Sequence, residues 1–492
     1  MDKYRALKKY FGYTSFRQGQ EQIIDSILSG RDTVGVLPTG TGKSVCYQLP
    51  AVMLKGVTLV ISPLISLMND QVKNLNAKNI KALALNSLIP KGKTERLYKS
   101  IINGEYTLLY VAPERLFNEG FLKLCGSIDI PLAVVDEAHC VCQWGMDFRP
   151  EYLKIADFIA RLPKRPCVAA FTASATPDIR SGIEKILKLN EPCKVVTGFD
   201  RPNLFFDVIQ TGSKLAKTAQ LLKKKQGSKI VYCSTRRQTD EIYNYLTANG
   251  FNAASYHAGL DSLHRQNARE KFISGEKEII VATNAFGMGI DKPDVRLVLH
   301  YNMPPDVESY YQQAGRAGRD GLAAECILLY SPPARKTHEF LIENSETNPE
   351  LDKKQQDEHK AMRYKRLDDM ELYCRGNVCF RKYILNYFGQ ESDDECDYCG
   401  YCGNNKTEKE EAGKEYGLRN TDAQYLAALK AIRKKAAKSC HIPGRLLVSD
   451  YELKKIVRTR PDNFDELEKY CSFSSYQLRK IGIDIIKICN LY

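Results

Sequence analysis

The sequence predicts an α/β protein: two tandem doubly wound parallel-sheet lobes, then a helical stretch rich in charge, then a small helical bundle. Three observations carry this. Short apolar runs alternate with helix-like segments, the series restarts near residue 200, and the texture changes after Pro333. In the first series the runs are 33–38 (TVGVLP), 57–62 (VTLVIS), 106–112 (YTLLYVA), 132–136 (LAVVD) and 167–173 (CVAAFTA). Continuous apolar strands separated by helical segments imply crossover units and a sheet covered on both faces. The second series is 229–234 (KIVYCS), 253–257 (AASYH), 278–283 (EIIVAT), 295–301 (VRLVLHY) and 325–330 (ECILLY). Ten such strands would strain one twisted sheet, so two lobes are expected, joined near 198–203 (GFDRPN). Residues 334–395 read as helical. Residues 404–420 are polar with mixed charge and read as a linker, and a helical pattern returns from Thr421, broken at Pro443, Gly444 and Pro461.

Composition sets the bounds. The 492 residues suit about three domains. Hydrophobic content of 43% and a mean hydropathy of −0.38 fit a globular chain. The net charge of +13 is compatible with a polyanionic partner such as nucleic acid. No apolar run approaches membrane-spanning length, and the start, MDKYRALKKY, has no apolar core of a secretory signal. Sixteen cysteines in this length are too sparse for a disulfide scaffold, which suggests a reducing compartment.

Residues 37–44 (LPTGTGKS) follow the first apolar run and open a helix. Thr39, Gly40, Thr41 and Gly42 let backbone N–H groups close around phosphate oxygens, and the helix N-terminus adds partial positive charge. Lys43 would reach the β and γ phosphates, and the Ser44 hydroxyl would ligate Mg²⁺. Leu37 stands where the strict pattern has glycine, so this is a variant P-loop. Asp136, Glu137, Ala138 and His139 end the fourth run. Asp136 is expected to hold Mg²⁺, and Glu137 to orient and deprotonate an attacking water. His139 either couples the nucleotide to neighbouring loops or is a satisfied polar residue. Residues 312–321 (QQAGRAGRDG) place Arg316 and Arg319 three apart, which on a helix is one face aimed at a triphosphate. Planar guanidinium donors suit charge building on γ-phosphate oxygens, and Gln312 opens the same motif. Lying in a different lobe from Lys43, these arginines imply a composite site that opens and closes.

With these motifs in order, residues 1–403 closely resemble the RecQ family of superfamily-two DNA helicases. The resemblance implies RecA-like lobes at 1–200 and 201–335, a helical zinc-binding module at 336–403, a linker at 404–420 and a bundle at 421–492. It also implies ATP, Mg²⁺ and Zn²⁺ as cofactors. Residues 11–13 (FGY) with 16–20 (FRQGQ) are similar to the family's adenine motif, so Arg17 and Gln20 are expected on the adenine edge with Tyr13 stacking. Residues 62–67 (SPLISL) and 112–116 (APERL) are similar to strand-contacting motifs, carried here by Ser62 and Arg115. Residues 172–176 (TASAT) are similar to the motif linking hydrolysis to lobe movement. Residues 281–293 match a second-lobe motif whose Asp291 is expected at the nucleotide. The loop 139–150 (HCVCQWGMDFRP) holds the protein's single tryptophan. Aromatic rings stack on unpaired bases and arginine adds charge. In the family this loop couples strand binding to hydrolysis, which assigns Trp144, Phe148 and Arg149 to nucleic acid. Met146 and Cys142 stand where the family usually has histidine and serine.

Cys379, Cys396, Cys399 and Cys402 suit tetrahedral Zn²⁺, although spacing alone also allows an iron–sulfur cluster. The resemblance implies a structural zinc here. Cys374 is a fifth thiol nearby.

Residues 421–492 resemble the helicase-and-RNase-D C-terminal (HRDC) domain through 426–436, 445–450 and 475–488. They carry 14 Lys/Arg against 8 Asp/Glu, and the basic side chains either track phosphates or form a solvated face. The stretch between Cys402 and Thr421 is too short for the winged-helix domain many members insert there. The duplex-splitting wedge must then come from elsewhere, and modest unwinding is expected.

The function implied is an ATP-dependent DNA helicase moving 3′ to 5′ on single-stranded DNA in recombination and repair. Its expected partners are single-stranded and branched DNA, with single-strand-binding protein or other repair proteins beside them and no membrane. The expected setting is the bacterial cytoplasm and nucleoid, or the nucleus in a eukaryotic host. The alternatives are an RNA helicase or duplex translocase, and a non-catalytic nucleic-acid-binding protein with a degenerate motor. A signalling NTPase switch lacks the guanine-specific motif.

Overall fold

The computed structural model describes residues 2–63, 65–86, 91–143, 150–287, 292–345, 352–375, 378–392, 396, 398–403, 420–440, 447–448, 450–471, 473 and 478–489. The chain divides into two compact units, Met1–Phe199 with Gly287–Asp291 and Glu346–Gln356, and Asp200–Phe286 with Lys292–Ser345 and Asp357–Tyr492.

The first unit holds a seven-stranded sheet: β1 Thr33–Val36, β2 Thr58–Ile61, β3 Ala82–Leu85, β4 Leu108–Val111, β5 Leu132–Val135, β6 Cys167–Thr172 and β7 Cys193–Val196. Their order is β3-β4-β2-β5-β6-β1-β7, and every pairing is parallel. Helices on one face bury Ile23, Ile24, Ile27, Tyr47 and Met68 against sheet residues such as Val60, Tyr110, Val134 and Phe171, and β1, β2, β4, β5 and β6 are buried throughout, so the other face is covered as well. Burying a large apolar side chain contributes roughly 1.5–3 kcal/mol, so this two-sided covering is what makes short four-residue strands stable.

The second unit holds six strands: β8 Leu204–Gln210, β9 Ser228–Tyr232, β10 Ala253–Tyr256, β11 Ile279–Ala282, β12 Val295–His300 and β13 Ala324–Tyr330. Their order is β10-β11-β9-β12-β13-β8, again all parallel. The ten apolar runs all fall on strands, and three further strands exist that the runs do not mark: β3, β7 and β8.

Helices follow at Ala334–Glu343, Lys353–Arg375 and Phe380–Tyr387. Charge pairs fasten them: Arg335 reaches Asp368 at 2.8 Å and also Glu371. Tyr373 donates to the Tyr310 hydroxyl at 3.1 Å, and the Arg381 guanidinium donates to the Arg201 carbonyl at 2.8 Å and pairs with Asp200. The tail forms helices Asn420–Cys440, Asp450–Thr459, Phe464–Cys471 and Ile483–Cys489, burying Leu429, Leu453, Ile456, Leu467 and Ile485 among themselves. Among the described residues, no helix is long and apolar enough to cross a membrane.

Candidate nucleotide site and metal centre

Three neighbouring strands of the first sheet, β5, β6 and β1, deliver their carboxyl ends to one place. Ligands of parallel sheets bind at such ends. After β1 the loop turns through Gly40 and Gly42, at φ +86° and +87°, and then starts the helix Val45–Met53. Only glycine takes that backbone cheaply. A Cβ on Gly42 would also lie 2.5 Å from the Gln20 amide nitrogen.

That contact reflects what the N-terminal motif does in this structure. The buried Gln20 donates its amide to the Thr41 and Gly42 carbonyls at 3.0 and 3.2 Å. Arg17 donates its backbone N–H to the Gln20 side-chain oxygen at 2.9 Å and its guanidinium to the Gly40 carbonyl at 2.6 Å. Both side chains expected on an adenine edge therefore brace the phosphate loop. Tyr13 is half exposed and lines a cavity with Gly42 and Ser44. Thr41 donates its hydroxyl back to the Pro38 carbonyl at 2.7 Å.

Lys43 spans from this loop to the end of β5, with its ammonium 3.0 Å from Asp136 and 2.8 Å from Glu137. Burial alone would lower its pKa, yet the two carboxylates outweigh it and hold the ammonium above its ordinary value. Burial pushes Asp136 up, against the pull of Lys43. Glu137 sits at φ +49°, a left-handed conformation that costs a non-glycine residue on the order of 1–3 kcal/mol. Such an outlier at a strand end is where function keeps strain. His139 completes the set: its Nδ1 lies 2.9 Å from the Thr172 hydroxyl and 3.4 Å from Glu137. Thr172 in turn donates to the Ser174 carbonyl at 3.0 Å. An unbroken chain thus runs from Lys43 through Glu137, His139 and Thr172 into 172–176.

An ammonium clamped by two carboxylates at a glycine-built loop fits a Mg²⁺–triphosphate in charge and donor type. Ser44 and Asp136 supply hard oxygens, and Lys43 is the cation a phosphate would draw away. Ser62, at the end of β2, is buried and offers no surface to a strand in this structure. Arg115 is half-buried and donates to the Asn86 carbonyl at 2.7 Å. Trp144, Phe148, Arg149 and Asp291 lie outside the described residues.

In the second unit the helix Val307–Ala314 carries Gln312 but stops before either arginine. Arg316 and Arg319 therefore do not share a helical face. They sit in consecutive turns, because Gly318 takes φ +54° and its carbonyl is held by Arg201 at 3.0 Å and Asn203 at 2.8 Å. Arg201 and Asn203 were not among the expected site residues; their signal was the segment 198–203 itself. Arg316 is buried beside Tyr232, whose hydroxyl donates to the Phe286 carbonyl at 2.9 Å. His300 lies 2.9 Å from the Gln313 side-chain oxygen, and burial pushes it down to about 3, so it is neutral.

Cys379, Cys396, Cys399 and Cys402 bring their sulfurs within 4.8 Å of one another, the single such metal-ready cluster among the described residues. Cys374 stands apart, buried at the end of Lys353–Arg375. The donor set fits Zn²⁺: four soft thiols and no carboxylate or imidazole. Backbone N–H groups already point at two sulfurs, Lys382 to Cys379 and Cys402 to Cys399, each at 3.4 Å. Such bonds orient and tune metal thiolates.

Comparison with known proteins agrees along the whole chain. Residues 17–181 match the DEAD/DEAH box helicase family, 213–321 the helicase conserved C-terminal domain, 335–404 the RecQ zinc-binding family and 422–489 the HRDC domain. The chain is 44% identical over 394 residues to the ATP-dependent DNA helicase RecQ of Bacillus subtilis (strain 168), covering 79% of this chain and 65% of that protein. It is 41% identical over 344 residues to the "Probable ATP-dependent DNA helicase RecS" of the same organism, covering 69% of each. It spans 60 to 65% of the length of the first curated RecQ relatives it matches. In fold it is similar to Dbp5 of S. cerevisiae bound to RNA and ADP BeF3, with a TM-score of 0.57 at 17% identity over 74% of this chain and 97% of that one. Family matches over motor, zinc module and tail, with relatives at this identity, give one conclusion: the chain belongs to the RecQ helicase family.

Proposed function

We propose that the protein is an ATP-dependent DNA helicase that translocates 3′ to 5′ on single-stranded DNA and opens duplex or branched DNA in recombination and repair. The observation that carries this reading is the clamp of Lys43 on Asp136 and Glu137, linked through His139 to Thr172. Bound Mg²⁺–ATP supplies the phosphoanhydride whose cleavage drives movement. Lys43 exchanges its carboxylates for phosphate oxygens, which frees Glu137 to take a proton from water. Asp136 and Ser44 hold the metal ion. Thr39, Gly40, Thr41 and Gly42 wrap the phosphates, and Tyr13, Arg17, Gln20 and Asp291 complete the nucleotide contacts. Arg316, Arg319 and Gln312 are the catalytic residues of the second lobe. Trp144, Phe148, Arg149 and Arg115 meet the strand.

The zinc cluster is structural, since four protein ligands leave no open position for substrate. The domains follow the boundaries given above, with 421–492 as an accessory module toward DNA or repair proteins. RecQ and RecS, both named as DNA helicases, favour DNA over RNA. One experiment tests the reading: ATP hydrolysis with single-stranded DNA or RNA, and unwinding of forked, tailed and four-way DNA, with zinc measured on the same sample. DNA stimulation of at least tenfold over RNA is expected. Equal stimulation by RNA favours the RNA-helicase alternative, and full activity of Lys43→Ala refutes the motor.

A further inference from the structure

In the second sheet the chain leaves β9 toward β10 on one side and leaves β12 toward β13 on the other. The direction of winding therefore reverses between β9 and β12, and the carboxyl ends of strands at such a reversal form a crevice that general experience with parallel sheets marks as a ligand site. This structure has a cavity of about 570 Å³ there, lined by segments that follow β8, β9, β12 and β13. None of the nucleotide-site residues discussed above lines it.

Its lining is chemically one-sided. Lys214, Thr211, Ser213, Gln238 and Asn302 face it, with the Tyr301 ring, and no carboxylate does. Lys214 donates to the Tyr301 carbonyl at 3.0 Å and lies over the Tyr301 ring. No carboxylate lines this wall, and the ionisable group whose charge acts on it is the Cys374 thiol at the end of the helix Lys353–Arg375. The eleven-residue helix Lys214–Lys224 begins at the cavity, its Ser213 cap makes no side-chain bond to the first turn, and that turn holds no acidic residue. Its first N–H groups keep their partial positive charge. The Gln238 amide oxygen is buried without a hydrogen-bond partner, and the amide turned over offers N–H instead.

We infer that this cavity is a phosphate-binding site of the second lobe, in which Lys214, the start of its helix and the hydroxyls of Thr211 and Ser213 hold the phosphate of a nucleic-acid strand or of a free small molecule. Its burial, which pushes Lys214 down to about 8, gives a handle for the test, because an unpaired ammonium in this position is partly neutral and nucleophilic near neutral pH.

The experiment is brief acylation of the full chain with an N-hydroxysuccinimide ester at pH 8, each lysine read by mass spectrometry. It is run alone, with oligothymidylate, with inorganic phosphate, and with chloride at matched ionic strength. Lys214 is expected among the fastest-reacting lysines. At least fivefold protection by oligothymidylate alone assigns the site to a strand, and protection by inorganic phosphate assigns it to a small phosphate. Protection by neither, or no labelling of Lys214 in the free chain, overturns the site. The Lys43→Ala chain separates this from the motor reading: protection persists there if the cavity binds phosphate itself, and vanishes if it only reports the P-loop. In a strand site, Lys214→Gln also lowers the slope of log affinity against log salt by about one.

Discussion

The clamp in the first unit and the cysteine cluster in the second are both buried groups of polar side chains, but they are satisfied in opposite ways. The Lys43 ammonium is paired with two carboxylates, so its charge is offset without a ligand and it can exchange partners when one arrives. The four thiols cannot do this. Their sulfurs repel once ionised and bond only weakly to one another when protonated, at 3.8 and 3.9 Å. A self-satisfied cluster suits a ligand that comes and goes; a cluster that needs an ion suits one that stays.

Breaking each region should give opposite signatures. The largest effect is expected for Cys399→Ser, which removes a fully buried ligand. Metal binding in structural sites contributes about 10–16 kcal/mol to small zinc peptides, so the helix Phe380–Tyr387 and the turn after it should lose protection in hydrogen exchange, with zinc content near zero. Nucleotide affinity of the first lobe should be kept. Lys43→Ala should do the reverse: zinc content stays, while ATP hydrolysis falls on the order of 10²–10³-fold in a steady-state assay. Smaller again is Thr172→Val, which removes the hydroxyl facing His139 at 2.9 Å. Hydrolysis should drop about tenfold with nucleotide affinity unchanged, since only the relay beyond the clamp is cut.

The smallest effect is one of stability. Burial, reinforced by the charge of Asp306, pushes Glu308 up to about 7 in the folded state. The native state then keeps a proton that the unfolded chain releases, so stability falls as pH rises from about 4.5 toward 7 and stays lower above it. Glu308→Gln should flatten that fall and stabilise the protein at pH 8 by on the order of 1–2 kcal/mol, read from urea melts at pH 5 and pH 8.

What could be read in the sequence follows the same division between interior and edge. Strands buried on both faces write continuous apolar runs, and those were legible. The three that were not, β3, β7 and β8, are all edge strands, and β7 and β8 hold only one and two fully buried positions. The clamp was legible because glycine, lysine and paired acids occur at fixed spacings. The partners of Gln20 and Arg17 were not, since bonds to backbone carbonyls leave no side-chain signature at the accepting residue. Spacing alone puts the two arginines on one helix face, but the helix stops at Ala314 and the chain then turns through Gly318 with a left-handed backbone. The Lys214 cavity had no motif at all. It is assembled from four strand ends far apart in sequence.

The isolated bridge between Phe206 and Cys399, with the Phe205 ring against Tyr398, lays the cysteine turn along β8. β8 is the last strand of its sheet, and its outer row of N–H and C=O groups is the kind that recruits strands from other molecules. A metal that holds the cysteine turn in place would therefore also keep that edge covered, and loss of the metal would bare a row of unpaired backbone groups.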